Sequence, residues 1–182
     1  SHELPRGTKT RSLTQVPDSG GDPRPRGCCA CRPLVVLVSE CGMPTIADFF
    51  ALSDRYLESA KALIEEGHYS TGYYLAGYSV ECLLKALICK GVQPTEFPPR
   101  DTNKTHYTHS YETLLKTARL QDALRFDTSR FPILNGSYLV LKDWEPAELR
   151  YDPTATPEKK ARDFVAAIDT PGGFPSWLKQ RL

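Results

Sequence analysis

The chain predicts an all-α protein: an up-and-down antiparallel bundle of four to five helices with a disordered N-terminal extension. Three observations carry this. Apolar residues recur at helical spacing in successive segments from Ile46 onward. No strand-like alternation persists anywhere. The segment from Tyr69 to Val92 reads as one long helix with an apolar stripe and a charged pair, Glu81 and Lys85, one turn apart.

The elements follow in order. The first helix is expected over Ile46 to Glu66, with Thr45 as N-cap and Asp48 in its first turn, where an acidic group is favoured by the helix dipole. Ile46, Phe50, Leu57, Ala60 and Ile64 mark its inner face, and Gly67 supplies the stop. The second helix begins near Ser70 and ends at Gly91, with Tyr73, Ala76, Val80, Leu83, Leu84 and Leu87 inward. Gly72 and Gly77 lower helix propensity, so another helix is expected to approach closely where they sit. The short connection at Gly67 makes the two helices antiparallel neighbours. A Pro-rich loop occupies Gln93 to Thr108. A third helix is expected over His109 to Arg119, capped by Thr108, with Tyr111, Leu114, Leu115 and Ala118 inward. A short helical turn follows at Gln121 to Arg125, then a fourth helix near Phe131 to Trp144. Thr156 is the expected cap of a fifth, with Pro157 at its first position, where a missing N–H costs little, and Ala161, Phe164, Val165 and Ile168 inward. Pro171, Gly172 and Gly173 break that helix before a short amphipathic end carrying Trp177.

This divides the chain into residues 1–43, a helical domain over 44–170, and a short C-terminal helix over 171–182. Residues 1–43 are rich in Pro and Arg without periodicity, a composition that buries too little apolar surface to offset its ordering entropy. Met43 is the only methionine, and folded character begins just after it. We read Met43 as the natural start and the residues before it as an upstream extension outside the native protein.

Totals exclude several classes. With 23 basic and 22 acidic residues the formal charge is +1, so no global field draws the chain to nucleic acid and any such binding needs a local patch. At 182 residues the chain can bury a core without metals or disulfides. The one strongly apolar run, Leu34 to Val38, is too short to cross a bilayer and lies too deep to be a signal peptide, so a cytoplasmic protein is expected. Cys82 and Cys89 fall seven residues apart on one helical face and are expected as small buried hydrophobes in a reducing compartment. Cys28, Cys29 and Cys31 lack a second ligand cluster to complete a tetrahedral site, so neither a metal nor another cofactor is expected.

An ordered set of motifs now stands out: LIEEGHY, then GYYLAGYSVECLLKALICKG, a loop, HSYETLLKTA, WEPAELRYDP and a final helix. Over Thr45 to about Ile168 this set resembles the HEPN family of small helical bundles. Its best elements are Glu81, Leu84 and Lys85, with His109, Leu114 and Leu115 downstream and the Leu149 to Pro153 segment after them. The resemblance implies a bundle that forms a homodimer. It implies binding of nucleotide or RNA, and action with a nucleotidyltransferase-type partner protein in a toxin–antitoxin or defence system. A structural dimerisation module is a further alternative.

Family ribonucleases pair an arginine, a polar residue and a histidine four to six residues on, without metal. The arginine would stabilise phosphate charge and the histidine would move the proton. Arg100, Asp101 and His106 fit that count and are the catalytic candidates of a metal-independent endoribonuclease alternative, although they lie in a loop rather than on a late helix. Lys85, His109 and Arg150 are the candidate nucleotide or RNA contacts. Each has a structural reading beside the functional one: Glu81 and Lys85 as an ion pair of the bundle, His109 as a residue bonding a helix end. Tyr73 is expected in the core, and Tyr69, Tyr74 and Tyr78 at a dimer face or stacked on bases. Trp144 and Trp177 are expected as packing anchors.

Overall fold

The computed structural model describes residues 43–92, 97–99, 104–152 and 154–182. These form an all-α antiparallel bundle, with no strand among the described residues. The extension, its four cysteines and the Met43 start all bear on residues outside the described ones, Met43 itself excepted.

Helix α1 spans Ile46–Glu65 and begins with a full capping box. The Thr45 hydroxyl accepts from the Asp48 N–H at 3.3 Å, and the Asp48 carboxylate accepts from the Thr45 N–H at 2.9 Å. These hydrogen bonds, the backbone one first, lower the Asp48 pKa. Gly67 closes the helix in the left-handed region at φ +82°. Phe49, Ser53, Ala60 and Ile64 are buried, whereas Phe50 is only half-buried. This corrects the expected inner face. Phe49 turns inward because its ring meets Phe97, 5.2 Å away edge to face, which helical periodicity does not reveal.

Helix α2, Tyr69–Lys90, runs back antiparallel to α1. Ile64 lies against Gly72, the Tyr56 and Tyr78 rings are 5.8 Å apart, and the Ser53 hydroxyl donates to the Ser79 carbonyl at 2.8 Å. The expected inward residues of α2 are all buried, and so are Ser79, Glu81, Cys82, Ala86, Ile88 and Cys89. The helix is therefore a central rod covered on most sides rather than a surface helix with one stripe. Gly72 is explained as expected: a Cβ there would lie 2.9 Å from the Ala60 carbonyl oxygen of α1. Gly77 is explained differently. A Cβ there would fall 1.9 Å from the Trp144 indole, so a ring rather than a helix fills that notch.

The remaining elements wrap the rod. A 3₁₀ turn at Lys104–Tyr107 interrupts the expected loop. Helix α3, Tyr111–Thr117, is capped by Ser110, whose hydroxyl accepts from the Thr113 N–H at 3.3 Å. Thr108 and His109 thus stand outside the helix they were expected to cap and open. Thr108 instead accepts from the Ser110 N–H, at 3.1 Å. Helix α4, Gln121–Thr128, is longer than the predicted turn, and α5 covers Pro132–Leu141. A single turn, α6, lies at Pro146–Leu149, and α7 spans Glu158–Asp169. Thr156 does not cap α7. It is buried, its N–H donates to the Ser70 hydroxyl at 2.8 Å, and Pro157 occupies the cap position, so the helix starts one residue later than expected.

Helix α8, Phe174–Lys179, belongs to the same core, so residues 171–182 are part of the bundle. Phe174 and Leu178 are fully buried and Trp177 nearly so. Ser137 of α5 joins three helices, donating to the Ala167 carbonyl of α7 at 2.8 Å and accepting from the Phe174 N–H at 2.9 Å. No helix among the described residues is long and apolar enough to cross a membrane.

Candidate functional site

Glu81 carries the site's charge. Its side chain is 3% exposed on the central rod, yet both carboxylate oxygens have partners. Lys85, one turn on, donates to Oε1 at 2.6 Å. His109, entering from the segment before α3, bonds Oε2 through Nδ1 at 2.9 Å. A carboxylate only accepts, so Nδ1 is the donor in this bond, and the ring is 40% exposed. Lys85 also stands over the Phe97 ring, 5.7 Å from its centroid. A buried carboxylate flanked by two basic groups is stable only when both are in place, because an unpartnered charge in a low-dielectric setting is costly.

From His109 the cluster continues through aromatic rings along α2. Tyr78 meets the His109 ring edge-on at 5.6 Å, Trp144 at 5.0 Å and Tyr74 at 5.1 Å. The Tyr74 and Tyr78 hydroxyls are 3.1 Å apart. Burial first, then the bond to Tyr74, raises the Tyr78 pKa, so its phenol stays neutral. Arg150, exposed at the end of α6, stands near Tyr74, Tyr78 and Tyr151, and the polar influence of these phenols, Tyr74 first, raises its already high pKa. Together Thr71, Tyr74, Tyr78, Glu81 and Lys85 make a polar seam three to four residues per step, hence on one face of the rod. It is roughly 20 Å long at 1.5 Å per residue.

At one end of the seam, Ser70, Thr71, Tyr74, Leu149 and Arg150 line a shallow cavity of about 270 Å³. Ser70 and Thr71 belong to the first turn of α2, which has no side-chain cap and no acidic residue. No acidic residue of its own first turn therefore offsets the partial positive charge of that helix start. A larger cavity, about 440 Å³, lies elsewhere, between Phe131, Trp177 and Arg181, and is mostly apolar.

Of the expected contacts, Lys85 and His109 share one carboxylate, and Arg150 joins them through Tyr78 and Tyr74. Tyr69, Tyr74 and Tyr78 are half-buried and engaged within the chain, while Tyr73 is core, as expected. Arg100 and Asp101 lie outside the described residues. His106 packs edge-on against the Phe97 ring, with centroids 6.0 Å apart. Its Nδ1 is buried without a hydrogen-bond partner among the described residues, and burial lowers its pKa. Cys82 and Cys89 are buried free thiols, with pKa values pushed up to about 12 and about 11, chiefly by burial. The described residues contain no group of side chains arranged to hold a metal ion. Sequence reasoning named Tyr74, Tyr78 and Glu81 but not Ser70 or Thr71. Their signal was an uncapped helix start without acidic residues.

No protein-family model matches the chain, and neither does any curated protein or solved structure. Function therefore rests on the chemistry of the site itself.

Proposed function

We propose that this helical domain binds nucleotide or RNA through its phosphates, at the start of α2 beside Arg150. The observation that carries the reading is the juxtaposition of an exposed guanidinium with the hydroxyl-lined, uncapped first turn of the central rod. A guanidinium presents paired donors to a phosphate, and a helix start adds partial positive charge from the same side. The Tyr74 and Tyr78 rings offer faces and edges for a base, and the Lys85–Glu81–His109 cluster sets the far end of the seam. Following the HEPN resemblance, the domain acts with a protein partner of nucleotidyltransferase type in a toxin–antitoxin or defence pair.

Calorimetric titration of the full chain with ATP, GTP and a short single-stranded RNA tests this. Binding is expected for at least one ligand, weakened about tenfold or more by Arg150→Ala. No heat with any ligand at millimolar concentration, or equal affinity of the Arg150→Ala protein, would remove the reading. Gel analysis of the recovered RNA separates the ribonuclease alternative, in which cleavage without metal is lost in His106→Ala.

A further inference from the structure

The larger cavity, about 440 Å³, has the size of a small-molecule site and takes no part in the α2 seam. Phe131 and Ile133 at the start of α5 and Trp177 of α8 give it apolar walls. Phe131 is 55% exposed and Ile133 59%, which leaves two large apolar side chains in water at its rim. Among the described residues only two charged ones line it, Asp127 near the end of α4 and Arg181 just after α8, with Gln180 beside them. Arg130, three residues on from Asp127, does not line it and lies over the Phe126 ring instead, 5.0 Å from its centroid.

The polar wall is held from several sides. Asp127 Oδ2 accepts from the Trp177 indole N–H at 2.8 Å and from Arg181 Nη2 at 2.7 Å. Arg181 Nη1 donates to the Trp177 carbonyl at 3.0 Å, and the guanidinium lies over the indole, 3.7 Å from its centroid. With these bonds made, Asp127 Oδ1 has no hydrogen-bond partner among the described residues, and Arg181 keeps N–H donors beyond the two it uses. The two side chains are 18% and 28% exposed, so the ion pair is open to a ligand while fixed in place.

We propose that this cavity binds a small uncharged molecule in which an apolar ring carries a primary carboxamide. The wall selects against ions. Asp127 and Arg181 are already paired at 2.7 Å, so a bound anion meets the carboxylate and a bound cation meets the guanidinium, each a like charge. A group presenting an acceptor and a donor together satisfies Arg181 and Asp127 Oδ1 at once. A primary carboxamide does so, because one of its two N–H bonds lies alongside its carbonyl. The trans amide of a peptide does not, since its N–H and C=O point opposite ways. The apolar walls take the ring, in the common pattern of an apolar lining with a few fixed polar groups. The cavity shares no lining residue with the one beside Arg150, so the proposal is independent of phosphate binding.

Benzamide is the probe, followed on the ¹⁵N-labelled full chain by the indole N–H signals of its two tryptophans, assigned by through-bond correlation. The Trp177 signal is expected to move saturably with millimolar affinity, while that of Trp144, seated at Gly77, stays in place. Benzoate, benzylammonium and N-methylbenzamide, whose methyl group replaces the N–H alongside the carbonyl, are each expected to bind about fivefold more weakly or worse. Asp127→Asn keeps an acceptor for the Trp177 indole but sets a donor in place of Oδ1, and is expected to weaken benzamide about tenfold. Ile133→Ala touches neither the polar wall nor the core, and is expected to weaken it about threefold. A Trp177 signal unmoved at about 10 mM benzamide would overturn the proposal. So would equal binding of the four probes, a preference for any of the other three, or unchanged benzamide affinity in either variant.

Discussion

Glu81 shows at the residue scale how a buried charge can be tolerated on a central helix. Its two oxygens are matched one to one, by Lys85 at 2.6 Å and His109 at 2.9 Å. The first partner was legible, because a spacing of four residues on a helix places two side chains together. The second was not, since it comes from a separate element 28 residues away and depends on how the segment before α3 returns to the rod. His106 poses the contrasting case of an imidazole without a counter-charge. Burial lowers its pKa from the ordinary 6.5, so the folded state resists a proton that the unfolded chain accepts. Its contribution to stability is therefore complete above pH 6.5 and declines as the pH falls through that value toward the lower folded-state pKa. Urea midpoints measured at pH 7.5 and 5.5 are expected to drop on acidification, and to drop less in His106→Gln. An identical pH dependence in the two proteins would show that the ring does not titrate this way.

Individual elements differ in how far local sequence specifies them. Helix α1 is set at both ends by local chemistry, with Thr45 and Asp48 at the start and Gly67 at the finish, and its bounds were predictable within a residue. Removing the cap hydroxyl with Thr45→Ala is expected to cost about 1 kcal/mol in denaturant unfolding. A change below a few tenths would show that Asp48 alone suffices. The elements after α2 were less legible because their ends answer to distant partners. Helix α7 starts at Glu158, with Pro157 rather than Thr156 in the cap position, because Thr156 is drawn inward to Ser70, 86 residues earlier. The join of α5, α7 and α8 at Ser137 left no local trace either, since one serine in an apolar helix has many uses. In the candidate site, the α2 residues could be read from spacing, while Arg150 reaches Tyr74 only through the turn at Pro146–Leu149.

At the scale of the whole molecule, the surrounding elements draw their stability from the central rod or from elements packed on it: α5 lies against α7 and α8, and α4 against α3 and α5. The last helix is the clearest instance: Phe174, Trp177 and Leu178 complete the core around α2, α5 and α7. Losing one large buried aromatic costs about 3–5 kcal/mol, against a total of about 5–15 kcal/mol for a domain. A chain ending at Thr170 is therefore expected to lack a cooperative thermal transition. A sharp transition within a few degrees of the intact protein would show α8 to be dispensable. The sequence sets residues 171–182 apart because the break at Pro171 to Gly173 is a local signal, whereas the burial of Phe174 and Leu178 against distant helices is not.

The Trp144 indole seated in the Gly77 notch binds the histories of two distant positions. No side chain can be added at Gly77 while the indole stays, and removing the indole alone would leave a void against α2. In any lineage that keeps this packing the two sites must drift as a couple, a shrinking ring licensing a growing neighbour, and never one without the other.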